Sequence, residues 1–300
     1  MGGRLGIHVA TGADNAGASA RDARRVAGRV LAWSRLLTRH DPESPLTRLN
    51  DDRRATVPVR PTLAAALAWA GDAGRMTGGL VDVTRLAERL AAESGGAPSG
   101  GPAGPVELFP PDWRLETDGP RRATITRAPG TRFDLDGVGK GWIADRALRL
   151  LDGYPGAAVD ADGDVAVRVA PGDRWEIGVA DPRLDGDLLA VIVLADGPGA
   201  PGRGRRTWGV ATSGTSVHRF GPGAHHLIDP RTGRPAVTDV IQATVLASGA
   251  AAAEAFAKSA VILGSAAGLD FLDRAGVAGA ILLLEDGRVL ALPRTSAFLA

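Results

Sequence analysis

The residues best suited to chemistry lie in the segment 133–151, FDLDGVGKGWIADRALRLL. Lys140 stands there among three glycines, at positions 137, 139 and 141, ahead of a predicted amphipathic helix. Glycine lets a ligand approach the backbone closely, and the start of a helix presents unpaired N–H groups with a partial positive charge. A lysine at such a place can bind a phosphate as a compact charge. The segment therefore predicts a strand at 131–133, an anion-binding glycine turn and a helix, with a plain strand-to-helix turn as the alternative.

Lysine is rare in this chain, and its two occurrences stand in distinctive segments. The 35 basic residues comprise 33 arginines and only two lysines, Lys140 and Lys258. Arginine serves wherever any positive charge suffices, so the two lysines mark positions that a planar guanidinium does not fit.

Lys258 follows Glu254 by four residues in a helix that the sequence predicts over 250–263. One interpretation is an exposed ion pair, which stabilises a helix by about 0.2–0.5 kcal/mol. The residues around the pair are nearly all small or apolar, and this favours a helix that is buried or lines a cleft.

A second candidate segment spans 208–235, where His226 precedes Asp229 by three residues. A histidine near a reacting hydroxyl is the usual general base at neutral pH. Upstream, the range 212–214 offers two hydroxyls and, with its glycine, a backbone that we expect to be flexible. A His-x-x-Asp spacing also occurs in metal pairs, and Asp-Pro and Thr-Gly are common turn dipeptides, so both alternatives stay open.

Composition excludes several classes of protein. The 300 residues are 44% hydrophobic and carry a formal net charge of +1, with no basic stripe among aromatic residues, so nucleic acid is not an expected partner. No run of about 18 apolar residues suggests a transmembrane segment. The N-terminal residues lack the features of a secretory signal, and the absence of cysteine excludes disulfides, a thiol nucleophile and a lipid-bearing cysteine. We therefore expect a cytoplasmic protein.

The elements that must position these residues predict an α+β fold with mixed, largely antiparallel sheets flanked by helices. Ser44 before Pro45 predicts a helix N-cap. We expect residues 1–300 to form a single domain with a flexible Gly/Pro-rich insertion at 94–111. The remaining predicted elements are a strand at 5–9, helices at 18–38, 61–76, from 84, and at 265–275, a hairpin at 113–127, strands at 157–160, 164–170, 175–180, 188–194, 208–212 and 238–248, and a closing hairpin at 278–292.

Taken together, these stretches resemble the FAD:protein FMN transferases, the ApbE family, in the same order over nearly the whole chain. The most specific match is 211–233, which is similar to the family's T-S-G followed by H-x-I-D-P-x-T-G. Six further segments of this chain are each similar to a family pattern. The segment starting at Met1 is similar to Met-Gly-Thr, Thr38–Asn50 to S-x-Y-x-x-D-S-x-L-S-R-x-N, and Gly79–Thr84 to G-x-x-D-x-T. Asp134–Gly141 is similar to D-L-x-x-x-x-K-G, Ala157–Val165 to N-x-G-G-D with Asp162 replacing a glycine, and the helix before Gly264 to A-D-A-x-x-T-x-x-x-x-L-G.

The resemblance implies that FAD binds in a cleft between two interlocked lobes. With magnesium, FMN then passes from FAD to a Thr or Ser hydroxyl of an acceptor flavoprotein, and AMP is released. It also implies that Lys140 binds the diphosphate, that His226 orients or deprotonates the acceptor hydroxyl, and that Asp229 belongs to the same catalytic group. The remaining residues implied in flavin binding are Met1, His40, Leu80, Val81, Asp82, Asp134, Thr212, Ser213, Gly214, Ile228 and Lys258.

The chain departs from the family at the implied metal site. Glu254 stands where the family has a metal-binding Asp, and Lys258 where it has a metal-binding Thr, while Gly137 would supply a backbone carbonyl. A hard cation prefers oxygen ligands, and an ammonium group beside it is repulsive. We therefore expect the magnesium site to be displaced or lost, and in the second case Lys258 would replace the cation, held by Glu254.

Two other functions remain open at this stage. The protein could bind FAD without transferring it, as a carrier or a partner-sensing module. It could also be an FAD pyrophosphatase, in which water takes the place of the acceptor hydroxyl and the products are FMN and AMP.

Overall fold

The chain divides into two compact units. Unit 1 comprises Leu31–Gly139 and Val217–Val237, and unit 2 comprises Gly2–Val30, Lys140–Ser216 and Thr238–Ala300. The computed structural model describes residues 3–10, 16–95, 112–119, 122–195, 206–216, 219–221 and 224–300. Met1, which is expected at the flavin site, and residues 96–111 of the predicted insertion lie outside this described part.

Helices and antiparallel strands are both abundant, which confirms the predicted α+β class. The helices are α1 (Ala16–Leu37), α2 (Pro45–Asp51), α3 (Pro61–Met76), α4 (Leu86–Glu93), α5 (Gly139–Arg149), α6 (Ala250–Leu263), α7 (Ser265–Arg274) and a final 3-10 helix (Pro293–Phe298). The strands are β1 (Leu5–Val9), β2 (Thr56–Val59), β3 (Trp113–Asp118), β4 (Arg122–Arg127), β5 (Ala157–Ala161), β6 (Asp164–Val169), β7 (Arg174–Ala180), β8 (Leu188–Ala195), β9 (Arg206–Gly214), β10 (Arg219–Gly221), β11 (Ala224–His225), β12 (Ile228–Asp229), β13 (Arg234–Pro235), β14 (Val240–Ala247), β15 (Gly279–Leu284) and β16 (Val289–Ala291).

Unit 2 is built on a seven-stranded sheet with the order β1-β5-β6-β9-β14-β15-β16. Every neighbouring pair in it is antiparallel. Side chains on successive strand residues point to opposite faces. On β9, Val210 therefore packs in a core shared with the β7–β8 ribbon, whereas Gly209 lies against the start of α6.

Helix α6 is the central helix of unit 2, because nearly all its residues are buried. It packs on β9 and β14, and α7 packs beside it. Close backbone approach makes this packing possible: a Cβ on Gly209 would lie 1.9 Å from the carbonyl carbon of Gly249, and one on Gly268 would lie 2.7 Å from the Ala260 carbonyl oxygen. Glycine is required at both positions, since no real Cβ comes so close to a backbone atom.

Unit 1 contains a three-stranded antiparallel sheet in the order β2-β4-β3, with α3 packed against it. Its core includes Leu63 and Leu67 from α3 and Ile125 from β4, all fully buried. Two short antiparallel ribbons, β10–β11 and β12–β13, complete the unit.

Most predicted elements agree with the structure to within two residues, and the N-cap is confirmed: Ser44 Oγ accepts a hydrogen bond from the Thr47 N–H at 2.9 Å. The predicted strand at 131–133 is wrong. That segment is irregular because the side-chain amide of Asn50 takes both backbone groups of Phe133, donating to its carbonyl at 2.8 Å and accepting its N–H at 2.7 Å. The backbone N–H and carbonyl of Phe133 are therefore not available to a neighbouring strand.

No helix in the described part of the chain is long and apolar enough to cross a membrane. The cytoplasmic location stays a prediction.

Candidate active site

The β5–β6 hairpin positions the acceptors for Lys140. Its two-residue loop consists of Asp162 and Gly163, with φ angles of 61° and 91°. Both central residues of a type I′ turn need positive φ, and Asp-Gly is a favoured pair there. The hairpin presents the carbonyl of Asp162 to Lys140 Nζ at 3.3 Å and the Oδ2 of Asp164 to the same ammonium at 3.3 Å.

Two carboxylates in unit 2 are almost completely buried, and both lysines of the chain serve them. The side chains of Asp164 and Glu254 are each 1% exposed. Lys140 pairs with Asp164, and Lys258 Nζ lies 3.3 Å from Glu254 Oε1. The expectation of a buried or cleft-lining α6 is thus confirmed, and an exposed surface pair is excluded. We refer to Lys140, Asp164, Glu254 and Lys258 as the lysine–carboxylate cluster.

Glu254 is held by the start of another helix. The backbone N–H of Gly141, in the first turn of α5, donates to Glu254 Oε2 at 3.0 Å. A Cβ on Gly141 would lie 2.5 Å from the carbonyl oxygen of Ala250, so α5 and α6 meet without an intervening side chain. Asp145 adds to the junction by accepting the N–H groups of Ala250 and Ala251 at 2.9 and 3.0 Å, which caps α6.

Burial and charge shift two ionisable groups of the cluster. Burial, followed by repulsion from Glu254, raises the pKa of Asp164 to about 7, although Lys140 and Lys258 oppose the shift. Burial disfavours the charged form of Lys140, but the carboxylates of Asp164 and Glu254 outweigh it and raise the pKa of this ammonium. Lys140 is therefore protonated at neutral pH, and its side chain is 28% exposed and can contact an anion.

In unit 1, Asp134 belongs to a network of ion pairs. Arg89 binds it at 3.0 Å and reaches Asp136 at 3.3 Å, while Arg39 Nε lies 3.7 Å from Asp134. Both arginines also pair with Glu93. Burial and the neighbouring Asp136 raise the pKa of Asp134, and the two arginines oppose the shift. The implied flavin contact of Asp134 stays a prediction.

The segment 80–85 is locally constrained. Asp82 accepts the Thr84 N–H and hydroxyl at 2.9 and 2.6 Å, and Arg85 Nε donates to it at 2.7 Å. This turn delays α4 to Leu86, two residues after its predicted start. The side chains of Leu80 and Val81 are buried, at 8% and 6% exposure, so they offer a ligand mainly their backbone.

Among the described residues implied in flavin binding, His40 is the exposed one. Its side chain is 57% exposed, and its Nε2 lies 3.8 Å from an oxygen of Asp136. It is therefore accessible to a ligand on the surface of unit 1.

Two adjacent histidines in unit 1 have different surroundings. His225 is buried; its Nδ1 accepts the Leu227 N–H at 3.2 Å, so its Nε2 carries the proton and donates to the Ala236 carbonyl at 3.0 Å. Burial lowers the pKa of His225, which is consistent with this neutral form. His226 is only partly buried. The two neighbours thus divide into a structural histidine and a candidate base.

The turn interpretation of 229–233 is confirmed. Both oxygens of Asp229 are bound by Arg231, through its backbone N–H at 2.9 Å and its guanidinium at 2.8 and 2.9 Å. The Gly233 N–H donates to the Asp229 carbonyl at 2.8 Å, and Gly233 has a φ of 66°. Ile228, 9% exposed, pairs with Pro235 in the β12–β13 ribbon. A catalytic role for Asp229 stays a prediction.

The expected flexible backbone at 212–214 is wrong. Thr212, Ser213 and Gly214 end strand β9, paired in register with β14. Thr212 and Thr244 are joined through their hydroxyls at 2.8 Å, and Ser213 is 7% exposed. A Cβ on Gly214 would lie 2.6 Å from the Ile241 carbonyl, so this glycine serves close strand packing and not mobility.

The donor set at Glu254 does not fit a divalent metal. One of its oxygens accepts the Gly141 N–H, and the other faces the Lys258 ammonium. Across the described ranges, no three His, Cys, Asp or Glu side chains come together as metal ligands. Gly137 lies in the turn before α5, and its implied role as a backbone metal ligand stays a prediction.

Several important residues were not predicted individually. Asp164 could have been found, because an aspartate directly after an Asp-Gly hairpin loop starts a strand at a known position. Asp145 could not, since it caps a helix that is distant in sequence. The remaining missed residues are Arg39, Arg89 and His225, whose types gave no signal among 33 arginines and five histidines.

Comparison with known proteins first defines the fold. The chain is similar to flavin transferase ApbE from Vibrio cholerae, with a TM-score of 0.72, 21% identity and coverage of 100% of this chain and 96% of that chain. The ApbE protein from Thermotoga maritima gives a TM-score of 0.78 at 23% identity, with the same coverage. The α+β architecture is therefore that of the solved ApbE structures.

Family membership follows from the sequence comparison. The model of the ApbE family matches residues 1–282, and the chain belongs to that family. The FAD:protein FMN transferase of Treponema pallidum is 31% identical over 177 residues, covering 54% of this chain and 46% of that protein. The one from Salmonella typhimurium is 27% identical over 166 residues, covering 53% and 44%. The chain thus matches less than half the length of these curated relatives.

Proposed function

We propose that the protein binds FAD and transfers its FMN moiety to a Thr or Ser hydroxyl of an acceptor flavoprotein. The observation that carries this proposal is the placement of Lys140 at the start of α5, charged and partly exposed, in a chain of the ApbE family. Two of its relatives are named FAD:protein FMN transferases. Neither is named as a carrier or a pyrophosphatase, so we do not adopt those alternatives.

In the proposed reaction the acceptor hydroxyl oxygen attacks the phosphorus atom of the FMN half of FAD. The new bond is a phosphodiester between FMN and the acceptor, and the bond that breaks joins this phosphorus to the bridging oxygen of the diphosphate. That oxygen leaves with AMP. The hydroxyl proton passes to a base. Positioning and charge neutralisation provide most of the catalysis in such a step.

Lys140 is suited to the diphosphate. Its ammonium is anchored by Asp164 and the Asp162 carbonyl, so little conformational entropy is lost when it binds a ligand. It stands in the first turn of α5, where the helix dipole adds a partial positive charge. An anion at this place would be stabilised by both.

His226 is the proposed base for the acceptor hydroxyl. It is only partly buried, whereas His225 is buried. The hydrogen-bonded turn at 229–233 begins three residues after it. Since the donor set at Glu254 does not fit magnesium, no step is assigned to a metal there.

The test uses an apo-flavoprotein that carries FMN on a threonine in its mature form. Incubation with this protein and FAD is expected to add the mass of an FMN phosphodiester to that threonine and to release one AMP per FMN. An acceptor with threonine replaced by valine is the matched control and should gain nothing. Free FMN with AMP would instead identify a pyrophosphatase, and FAD bound without turnover would identify a carrier.

A further inference from the structure

The lysine–carboxylate cluster places two acidic side chains against two ammonium groups. Two buried carboxylates, Asp164 and Glu254, face two ammonium groups, Lys140 and Lys258, and each lysine forms one of the ion pairs at 3.3 Å. The pairs also act on each other, since Lys258 stabilises the charged form of Asp164 and Glu254 that of Lys140. The four groups are therefore one electrostatic unit.

One buried atom in this unit is incompletely satisfied. Asp164 Oδ2 accepts no hydrogen bond from any described residue, although the Lys140 ammonium is within ion-pair distance. A buried carboxylate oxygen in this condition is stabilised either by a nearby cation or by a proton. Lys258 contributes to that stabilisation, and its side chain is 13% exposed. Removing its ammonium would leave the two buried acidic side chains with the Lys140 ammonium alone.

Glu254 and Lys258 stand where the family resemblance implies a metal-binding Asp and Thr, and the two side chains fit each other. Glutamate is one methylene longer than aspartate, which allows Glu254 to reach the Gly141 N–H with one oxygen and Lys258 with the other. A lysine at 258 extends from the same helix face, one turn along. The Lys258 ammonium, held by Glu254, thus occupies the space that a divalent ion and its oxygen ligands would take.

We propose that Lys258 is a resident cation of this site, so that the cluster binds no divalent metal and the protein binds FAD without one. The first half of the proposal concerns the chain alone, and only the second half rests on the proposed function. Replacing the Lys258 ammonium by threonine and Glu254 by aspartate would provide oxygen ligands and so create a divalent-cation site at the same position.

Binding of Mn²⁺ alone tests the first half. Free Mn²⁺ is measured by electron paramagnetic resonance while protein is added, using the parent chain and the variant Glu254→Asp/Lys258→Thr. The double variant is expected to bind one Mn²⁺ at least about tenfold more tightly than the parent, a difference of about 1.4 kcal/mol. Lys258→Thr combined with Glu254→Gln is the matched control, which lacks both charges and should gain no binding.

The parent measurement alone is decisive if a variant fails to fold. One Mn²⁺ bound per parent chain would overturn the proposal by itself. A folded double variant that gains no Mn²⁺ would also overturn it. Weak or absent binding to the parent supports it, because an intact metal site would bind without any mutation.

Titration of FAD with magnesium or with chelator tests the second half. The parent is expected to bind FAD with the same affinity, within about twofold, in both conditions, which is about 0.4 kcal/mol. A tenfold loss in chelator would overturn this half. If the parent does not bind FAD at all, the proposed function fails. The Mn²⁺ experiment still decides whether Lys258 takes the place of a divalent cation.

Discussion

The Gly141 N–H donates to Glu254 Oε2 at 3.0 Å, and this bond ties the first turn of α5 to the buried face of α6. The carboxylate thereby receives a donor from the positive end of a helix. Together with the bonds from Asp145 to the start of α6, this contact joins α5 to α6.

Gly141→Ala should lower the thermal midpoint, since its Cβ would lie 2.5 Å from the Ala250 carbonyl oxygen. Overpacking of this kind costs about 1–3 kcal/mol. Gly28→Ala is the control, because it lies inside α1 with nothing within 4 Å of its Cβ, and it should gain roughly 0.5–1 kcal/mol. Calorimetry compares the two, and equal midpoints would refute the close approach of α5 and α6.

Lys140→Met should weaken FAD binding by about 1.5–3 kcal/mol, the worth of a charge-assisted hydrogen bond to phosphate. Arg149→Met is the matched control, since it removes one positive charge from the exposed end of the same helix and should leave the affinity unchanged. Isothermal titration with FAD measures both. An unaltered affinity in Lys140→Met would end the assignment of this residue to the diphosphate.

His226→Ala should bind FAD normally but transfer FMN more slowly by a factor on the order of 10²–10⁴, the usual contribution of a positioned base. His225→Ala should instead lower stability by about 1–3 kcal/mol, because it leaves the Leu227 N–H and the Ala236 carbonyl unpaired. Single-turnover transfer and thermal melts distinguish them. A transfer rate equal to the parent's in His226→Ala would place the base elsewhere.

Asp162→Ala should destabilise the β5–β6 hairpin more than Asp162→Gly does. Among the described residues Asp162 is the only non-glycine residue with positive φ, and alanine in that conformation costs roughly 1–2 kcal/mol. Both variants lose the bond from the Arg4 N–H to Oδ1, so their difference isolates the backbone. Urea unfolding measures it, and equal stabilities would contradict a type I′ turn here.

Asp164 should make the protein less stable as pH rises. Its folded pKa of about 7 lies above the ordinary 3.8, so the protonated form favours folding. Its contribution is complete below pH 3.8 and is lost as pH rises toward 7, at about 1.4 kcal/mol per pKa unit. Asp164→Asn should remove this slope, and Asp270→Asn, at an exposed carboxylate, should retain it. Denaturant melts from pH 4 to 8 test the pair, and an unchanged slope in Asp164→Asn would refute the shift.

Helix α6 was predictable to the residue because its alanine-rich composition and its flanking glycines define both ends. The same composition indicated that Glu254 and Lys258 are buried. The pairing of Lys140 with Asp164 was not predictable, since it depends on how a hairpin loop meets a helix start. Sequence periodicity carries no information on such tertiary contacts.

The two segments predicted wrongly failed for opposite reasons. At 131–133 the hydrophobic pattern suggests a strand, but the Asn50 amide takes the backbone groups of Phe133. At 212–214 the glycine suggests a flexible backbone, but the segment pairs with strand β14. In both cases a partner that is distant in sequence determines the local conformation. Local propensity contains no information about such a partner.

The rarity of lysine has a practical consequence. Guanidinium groups do not acylate under mild conditions, so the two side-chain amines of the chain, at Lys140 and Lys258, are the side chains that an amine-selective reagent can modify. Both belong to the lysine–carboxylate cluster, with 28% and 13% exposure. Covalent labelling of lysine in this protein is therefore a footprint of a single place, and its protection by a ligand reports occupancy there without any engineered probe.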